Sequence, residues 1–136
     1  MELNDYVKWT ANTCAELDTH KEDITHMLFG MITEIGELTD IFKKSLAYGK
    51  EIDWVNAGEE IGDIMFYLAS FCRINKLDLQ EIINTNVLKL ESRYPEKFTE
   101  YHALNRDLDK ERDILETKLP TSEEIGESMA KYSFEK

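Results

Sequence analysis

Two cysteines, two prolines and six glycines are all that this chain of 136 residues has of the residues that staple, break or loosen a backbone. Cys14 and Cys72 stand far apart, without the spacing of a metal site or a redox pair, and read as buried thiols of a reducing compartment. No uninterrupted apolar run is long enough to span a membrane and no signal peptide opens the chain, so the expected location is cytoplasmic. Positive charge is scarce: 16 Lys and Arg against 28 Asp and Glu leave a net charge of −12. With no Lys/Arg-rich run, neither nucleic acid nor an anionic membrane surface is an expected partner. Also missing are a G-x-S-x-G nucleophile, a Cys with a matched His, and a Gly-rich loop to cradle phosphate, which excludes the P-loop route to nucleotides. His20, His26 and His102 have no zinc spacing. Asp23 and His26 make one D-x-x-H, where a ferritin-like di-iron site needs E-x-x-H on two helices.

No strand pattern competes with helix, and the expected fold class is all-α with a four-helix-bundle-type core and further C-terminal helices. Asn4 is the expected cap of a first helix running to about Asp18. Thr19 with Glu22 has the form of a capping box opening a long second helix that ends near Ala47. Residues 48–52 form a connection, and Asp53 caps a third helix that fades at Asn75 and Lys76. Asp78 with Glu81 opens a fourth, which ends ahead of Pro95. Asn105 is the expected cap of a charged fifth helix ending before Pro120, and Thr121 with Glu124 caps a short helix in the tail. A single domain over residues 1–116 with a tail over 117–136 follows.

The acids of the second and third helices carry the chemistry. TEIGEL places Glu34 and Glu37 three apart, and EEIGD does the same for Glu60 and Asp63. That spacing puts both members of a pair on one helix face, about 60° apart. The connection AYGKEID between the blocks predicts an antiparallel hairpin, which draws all four carboxylates towards one point. Carboxylates so gathered repel unless a cation lies among them, and an all-oxygen set suits Mg²⁺ or Mn²⁺. Ile24, Leu28, Met31, Ile35, Leu38 and Phe42 form an apolar stripe at alternating four and three spacing, with the acids on a second face beside Met27, Gly30 and Ile41. In the third helix Glu60 interrupts a second face made of Ala57, Ile64, Tyr67, Phe71 and Ile74. Helices that are apolar on two sides enclose their acids at least in part. They also carry more apolar surface than one bundle hides, which predicts a homodimer or a dimer of dimers. The residues alone leave open whether the acids hold a metal or line a solvated face.

A second group lies on the fourth helix. Asn86, Lys89 and Arg93 form one column at three and four spacing, an amide, an ammonium and a guanidinium suited to phosphate oxygens. The same column also suits two cations that snorkel beside a packed amide.

The whole pattern resembles the MazG-like all-α nucleoside triphosphate pyrophosphohydrolases, whose signature is EExxE followed by ExxD. Glu34 and Glu37 match the last two acids of the first block, and Glu60 and Asp63 match the second. Thr33 stands where the first Glu often is, which removes one assisting acid and leaves the metal ligands in place. EIGEL, EEIGDIMFYL, KLESRYPEKF and NRDLDKERDIL are also similar, so the resemblance covers residues 1–115. It implies that Glu34, Glu37, Glu60 and Asp63 hold Mg²⁺, with Mn²⁺ as the alternative ion, and that Glu34 or Glu37 takes a proton from the attacking water. It further implies that Asn86, Lys89 and Arg93 bind phosphate on the departing part of the substrate. The activity it implies is hydrolysis of a nucleoside triphosphate, in deoxy or ribo form, to monophosphate and pyrophosphate by a homodimer or homotetramer. Related phosphoanhydrides, such as nucleoside diphosphates or phosphoribosyl-ATP, are alternative substrates. A helical interaction module with a structural cation is the reading outside enzymes.

Overall fold

The computed structural model describes residues 1–135, with side chains described except at 129 and 131–135. Among the described residues there are helices and no strand, so the class is all-α. No described helix is long and apolar enough to cross a membrane. The chain divides into two compact units, one over Met1–Asn75 and one beginning at Lys76.

The first unit holds α1 (Leu3–Trp9), α2 (His20–Tyr48) and α3 (Trp54–Ile74). The start of α2 is the expected capping box. The Glu22 N–H donates to Thr19 Oγ1 at 3.2 Å, and the Thr19 N–H donates back to Glu22 Oε2 at 2.9 Å. Its end is set by Gly49, whose φ of 64° is the left-handed conformation that glycine adopts without a Cβ clash. Asp53 then caps α3 by accepting the Asn56 N–H at 3.0 Å.

The first helix departs from expectation. Helix α1 stops at Trp9 and gives way to a short 3-10 turn at Thr10–Asn12, and Asn4 lies inside α1 instead of capping it. The run Thr10–Ala–Asn–Thr13 is poor in helix formers, and its hydroxyl and amide groups compete for backbone partners. Buried Thr10 donates from Oγ1 to Val7 O at 2.8 Å and accepts from Arg73 Nε at 3.1 Å, which ties the turn to α3. Asp23 accepts the Leu17 N–H at 2.7 Å and so holds the strap that leads into α2.

Helices α2 and α3 form the hairpin, and the acid-bearing face of each is the one they share. Met27, Gly30, Ala57 and Glu60 are all buried there. A Cβ on Gly30 would stand 2.3 Å from the Tyr67 ring, so only hydrogen fits where the two helices pass. The six-residue stripe of α2 is divided, with Leu28 41 %, Ile35 50 % and Phe42 40 % exposed and Ile24, Met31 and Leu38 half-buried. Both thiols are free: Cys72 is buried and Cys14 half-buried, its Sγ 3.8 Å from Met27 Sδ.

The second unit contains α4 (Leu79–Arg93), α5 (Glu100–Leu104), α6 (Leu108–Lys118) and α7 (Ser122–Glu135). Asp78 caps α4 through the Glu81 N–H, and Thr121 with Glu124 caps α7, both as expected. The expected cap at Asn105 is replaced. Asp107 accepts the Lys110 N–H at 3.0 Å and starts α6, while the Asn105 amide donates to Tyr101 O at the end of α5. Thr99 starts α5 by accepting the His102 N–H.

Helices α4 and α6 pack together, with Glu111 of α6 buried. Its carboxylate takes Arg93 Nε at 2.7 Å and Arg93 Nη2 at 2.9 Å, and two further bonds from Arg106, Nη2 at 2.5 Å and Nε at 3.4 Å. Hydrogen bonds from Arg93 and then Arg106 draw the Glu111 carboxyl down from 4.5 to about 2. A depressed carboxyl adds stability above its unfolded pKa and loses it as pH falls through the folded one. Glu111→Gln is therefore expected to lower the melting temperature at neutral pH and to flatten its decline between about 4.5 and about 2. Melts across that range check it; a variant whose acid limb parallels the wild type would rule out the pair as a stabilising link.

Candidate active site on the helical hairpin

Glu34 and Glu37 lie one turn apart on the face that α2 turns to α3, and Glu60 faces them from α3. One carboxylate oxygen from each of the three lies within 4.8 Å of the others. Their exposures differ: Glu60 is buried at 5 %, Glu34 is half-buried and Glu37 is exposed. Asp63, the fourth acid expected here, stands one turn beyond Glu60 and is exposed. It is not part of the close group, although its charge is felt at the hydroxyls of Tyr6 and Tyr67.

The electrostatics of the group follow from the sequence of enclosure. Burial pushes the Glu60 carboxyl above its ordinary value, and the charges of Glu37 and Glu34 push it further, with a hydrogen bond to Glu34. Among the described residues none of the three forms a salt bridge. A buried carboxyl in this position either keeps a proton or finds a cation from outside the chain. All the donors are carboxylate oxygens, the set that hard divalent ions such as Mg²⁺ prefer.

Tyr67 was not singled out as a site residue from the sequence. It lies four residues after Asp63, hence one turn along the same face, and packs on Gly30 and edge-on to His26 with centroids 6.1 Å apart. Burial raises its hydroxyl pKa first, then the charges of Glu34 and Asp63. Trp9, Tyr48 and Trp54 are exposed; Trp9 stacks on Tyr6 and Trp54 meets Phe42 edge-on.

The second expected group, Asn86, Lys89 and Arg93, lies on α4 in the other unit. Asn86 is exposed and Lys89 half-buried, and no hydrogen bond engages either side chain among the described residues. Arg93 is held by Glu111, so part of its donor fork is already used. Two guanidiniums share that one carboxylate, and the cluster of Arg93, Arg106 and Glu111 keeps one net positive charge.

Residues 22–98 match the family model of the MazG nucleotide pyrophosphohydrolase domain. No curated protein and no solved structure matches the chain.

Proposed function

The chain belongs to the MazG nucleotide pyrophosphohydrolase family, which implies nucleotide pyrophosphohydrolase activity in general, and on that premise we propose a Mg²⁺-dependent hydrolase of nucleoside triphosphates that releases monophosphate and pyrophosphate. The observation that carries the reading is the meeting of Glu34, Glu37 and Glu60, with no salt bridge to the buried member among the described residues. Such a group is costly for stability alone and suits a site that binds a divalent ion. Glu34, Glu37 and Glu60, with Asp63 beside them, would hold Mg²⁺ or Mn²⁺. The chemistry supplied by a bound ion is neutralisation of phosphate charge and a lower pKa for the attacking water.

The chain's own side chains would do the rest. Glu37 is the exposed member of the first pair and is open to water, so we assign it the proton from the attacking water in preference to Glu34, which is engaged with Glu60. In the second unit, Asn86 and Lys89 would donate to phosphate oxygens, and the residual positive charge around Arg93 would favour the same anion. A panel of nucleotides assayed for both products tests the activity. Release of monophosphate with pyrophosphate in the presence of Mg²⁺ supports it, and no turnover of any nucleotide overturns it.

The proposed assembly is a homodimer, or a homotetramer built from it, in the cytoplasm. On α2, Leu28, Ile32, Ile35, Phe42 and Leu46 follow alternating four and three spacing, with Thr39 completing the row, and all five are exposed. A row of that spacing is the seam by which one helix packs along another, and a second copy offers the same row. Light scattering should therefore report a dimer or larger at micromolar concentration; a monomer there would refute the assembly.

A further inference from the structure

The carboxylate group opens at one side into a cleft of about 650 Å³, whose lining includes Glu37, Glu60, Asp40, Ile41, Lys44 and Asn56. Lys44 lies two helical turns beyond Glu37 on α2, about 10 Å along the axis and on the same face. Asn56 sits one turn before Glu60 at the start of α3. Its backbone N–H is used by the Asp53 cap, and among the described residues no hydrogen bond engages its side-chain amide.

We propose that this cleft is the subsite for the terminal pyrophosphate half of the substrate, with Lys44 and Asn56 as its donors. The inference rests on the triphosphate reading above and adds a direction to it. Lys44 reaches Asp40 at 2.5 Å, and Lys43 reaches the other oxygen of the same carboxylate at 2.7 Å. Two ammoniums share one carboxylate, so Lys44 can turn to a phosphate while Lys43 continues to neutralise Asp40. The Lys44 side chain is 51 % exposed, and its flexible four-carbon stem makes that exchange a matter of rotamers. The trio of Asp40, Lys43 and Lys44 carries one net positive charge beside an acidic cluster, a useful place for a polyanion that the cluster itself would repel.

The other end of the site differs in kind. Beyond Glu34 and Asp63 stand the rings of Tyr67 and His26, packed edge to face, which offer ring surface to a flat group. Within the first unit, a phosphate chain held at the carboxylates meets a cation and an amide in the direction of Lys44 and Asn56. The nucleoside half is left with the aromatic end.

The test reads binding of each product separately. Magnesium pyrophosphate and a nucleoside monophosphate are titrated calorimetrically into the wild type, Lys44→Ala, Lys44→Arg and Asn56→Ala. Lys44→Ala should weaken pyrophosphate about tenfold or more, as loss of a charge-assisted bond does, and leave the monophosphate unchanged. Lys44→Arg should restore most of the affinity, and Asn56→Ala should show a smaller loss on the same product. Unchanged pyrophosphate affinity in Lys44→Ala, or a loss that falls on the monophosphate, overturns the inference. Failure of the activity is a separate result. A chain that binds pyrophosphate through Lys44 but hydrolyses no nucleotide keeps this subsite, whereas an active hydrolase indifferent to Lys44 keeps only the activity.

Discussion

Glu60→Gln is expected to abolish nucleotide hydrolysis and, in the absence of metal, to leave the protein more stable than the wild type. The two effects have opposite signs because one residue serves two ends. Glu60 is 5 % exposed and faces Glu34 and Glu37, so its charge costs desolvation and repulsion in the metal-free protein. The amide keeps the shape and removes the charge, which relieves both costs. The same change removes a carboxylate that would hold the cation, and turnover should fall about a thousandfold or more. Added Mg²⁺ should raise the melting temperature of the wild type and leave that of Glu60→Gln nearly unmoved. Glu37→Gln should lose activity to a similar degree with helical content intact, without the same gain in stability, because Glu37 is already solvated. Calorimetry that found unchanged Mg²⁺ affinity in both variants would remove the proposed site. The same measurement on Asp63→Asn decides whether the fourth acid belongs to the set, since it lies outside the close group of three.

Lys89→Ala should separate phosphate binding from metal binding. A lost charge-assisted contact to a phosphate oxygen corresponds to roughly a ten- to hundredfold fall in kcat/KM. Mg²⁺ affinity without nucleotide should barely change, because Lys89 is a donor and cannot be a ligand. The carboxylate variants should show the reverse order, with metal lost first and catalysis as a consequence. The products identify the bond cleaved: monophosphate with pyrophosphate is expected, and orthophosphate as the first product would place the attack at a different phosphorus. A Lys89→Ala protein with unaltered kinetics would leave the α4 column a surface feature. Arg93 is the less informative residue to vary, since its removal also takes two hydrogen bonds from the buried carboxylate of Glu111 and leaves it to Arg106.

The parts of the fold that were legible in the amino-acid sequence are those decided within a turn or two of chain. Thr19 with Glu22, Asp53, Asp78, and Thr121 with Glu124 each start a helix where a short polar side chain can reach an unpaired N–H three residues on. Gly49 ends α2 for an equally local reason. The expectations that failed were local as well, but were contests between near neighbours. Asn105 lost its cap to Asp107, whose carboxylate is the stronger acceptor, and the first helix stopped at a run of Thr and Asn. The acidic pairs and the flanking words that matched the family were legible for the same reason, since a motif is a statement about spacing along one chain.

The sequence by itself determined the starts of α2, α3, α4 and α7, the four acids and the family, because hydrogen-bond capping and helical period depend on neighbours a few residues away. Only the tertiary structure decided which faces of α2 and α3 meet and what stands around the acids. Gly30 marks the register they adopt, since the lack of a side chain there lets the Tyr67 ring lie against α2. With that register Glu60 is enclosed, Glu37 stays in water, Asp63 falls outside the close group, and Lys44 and Asn56 line the cleft beside it. No spacing rule ranks these outcomes, because each depends on contacts across the hairpin, and packing alone selects among the faces that two doubly apolar helices offer.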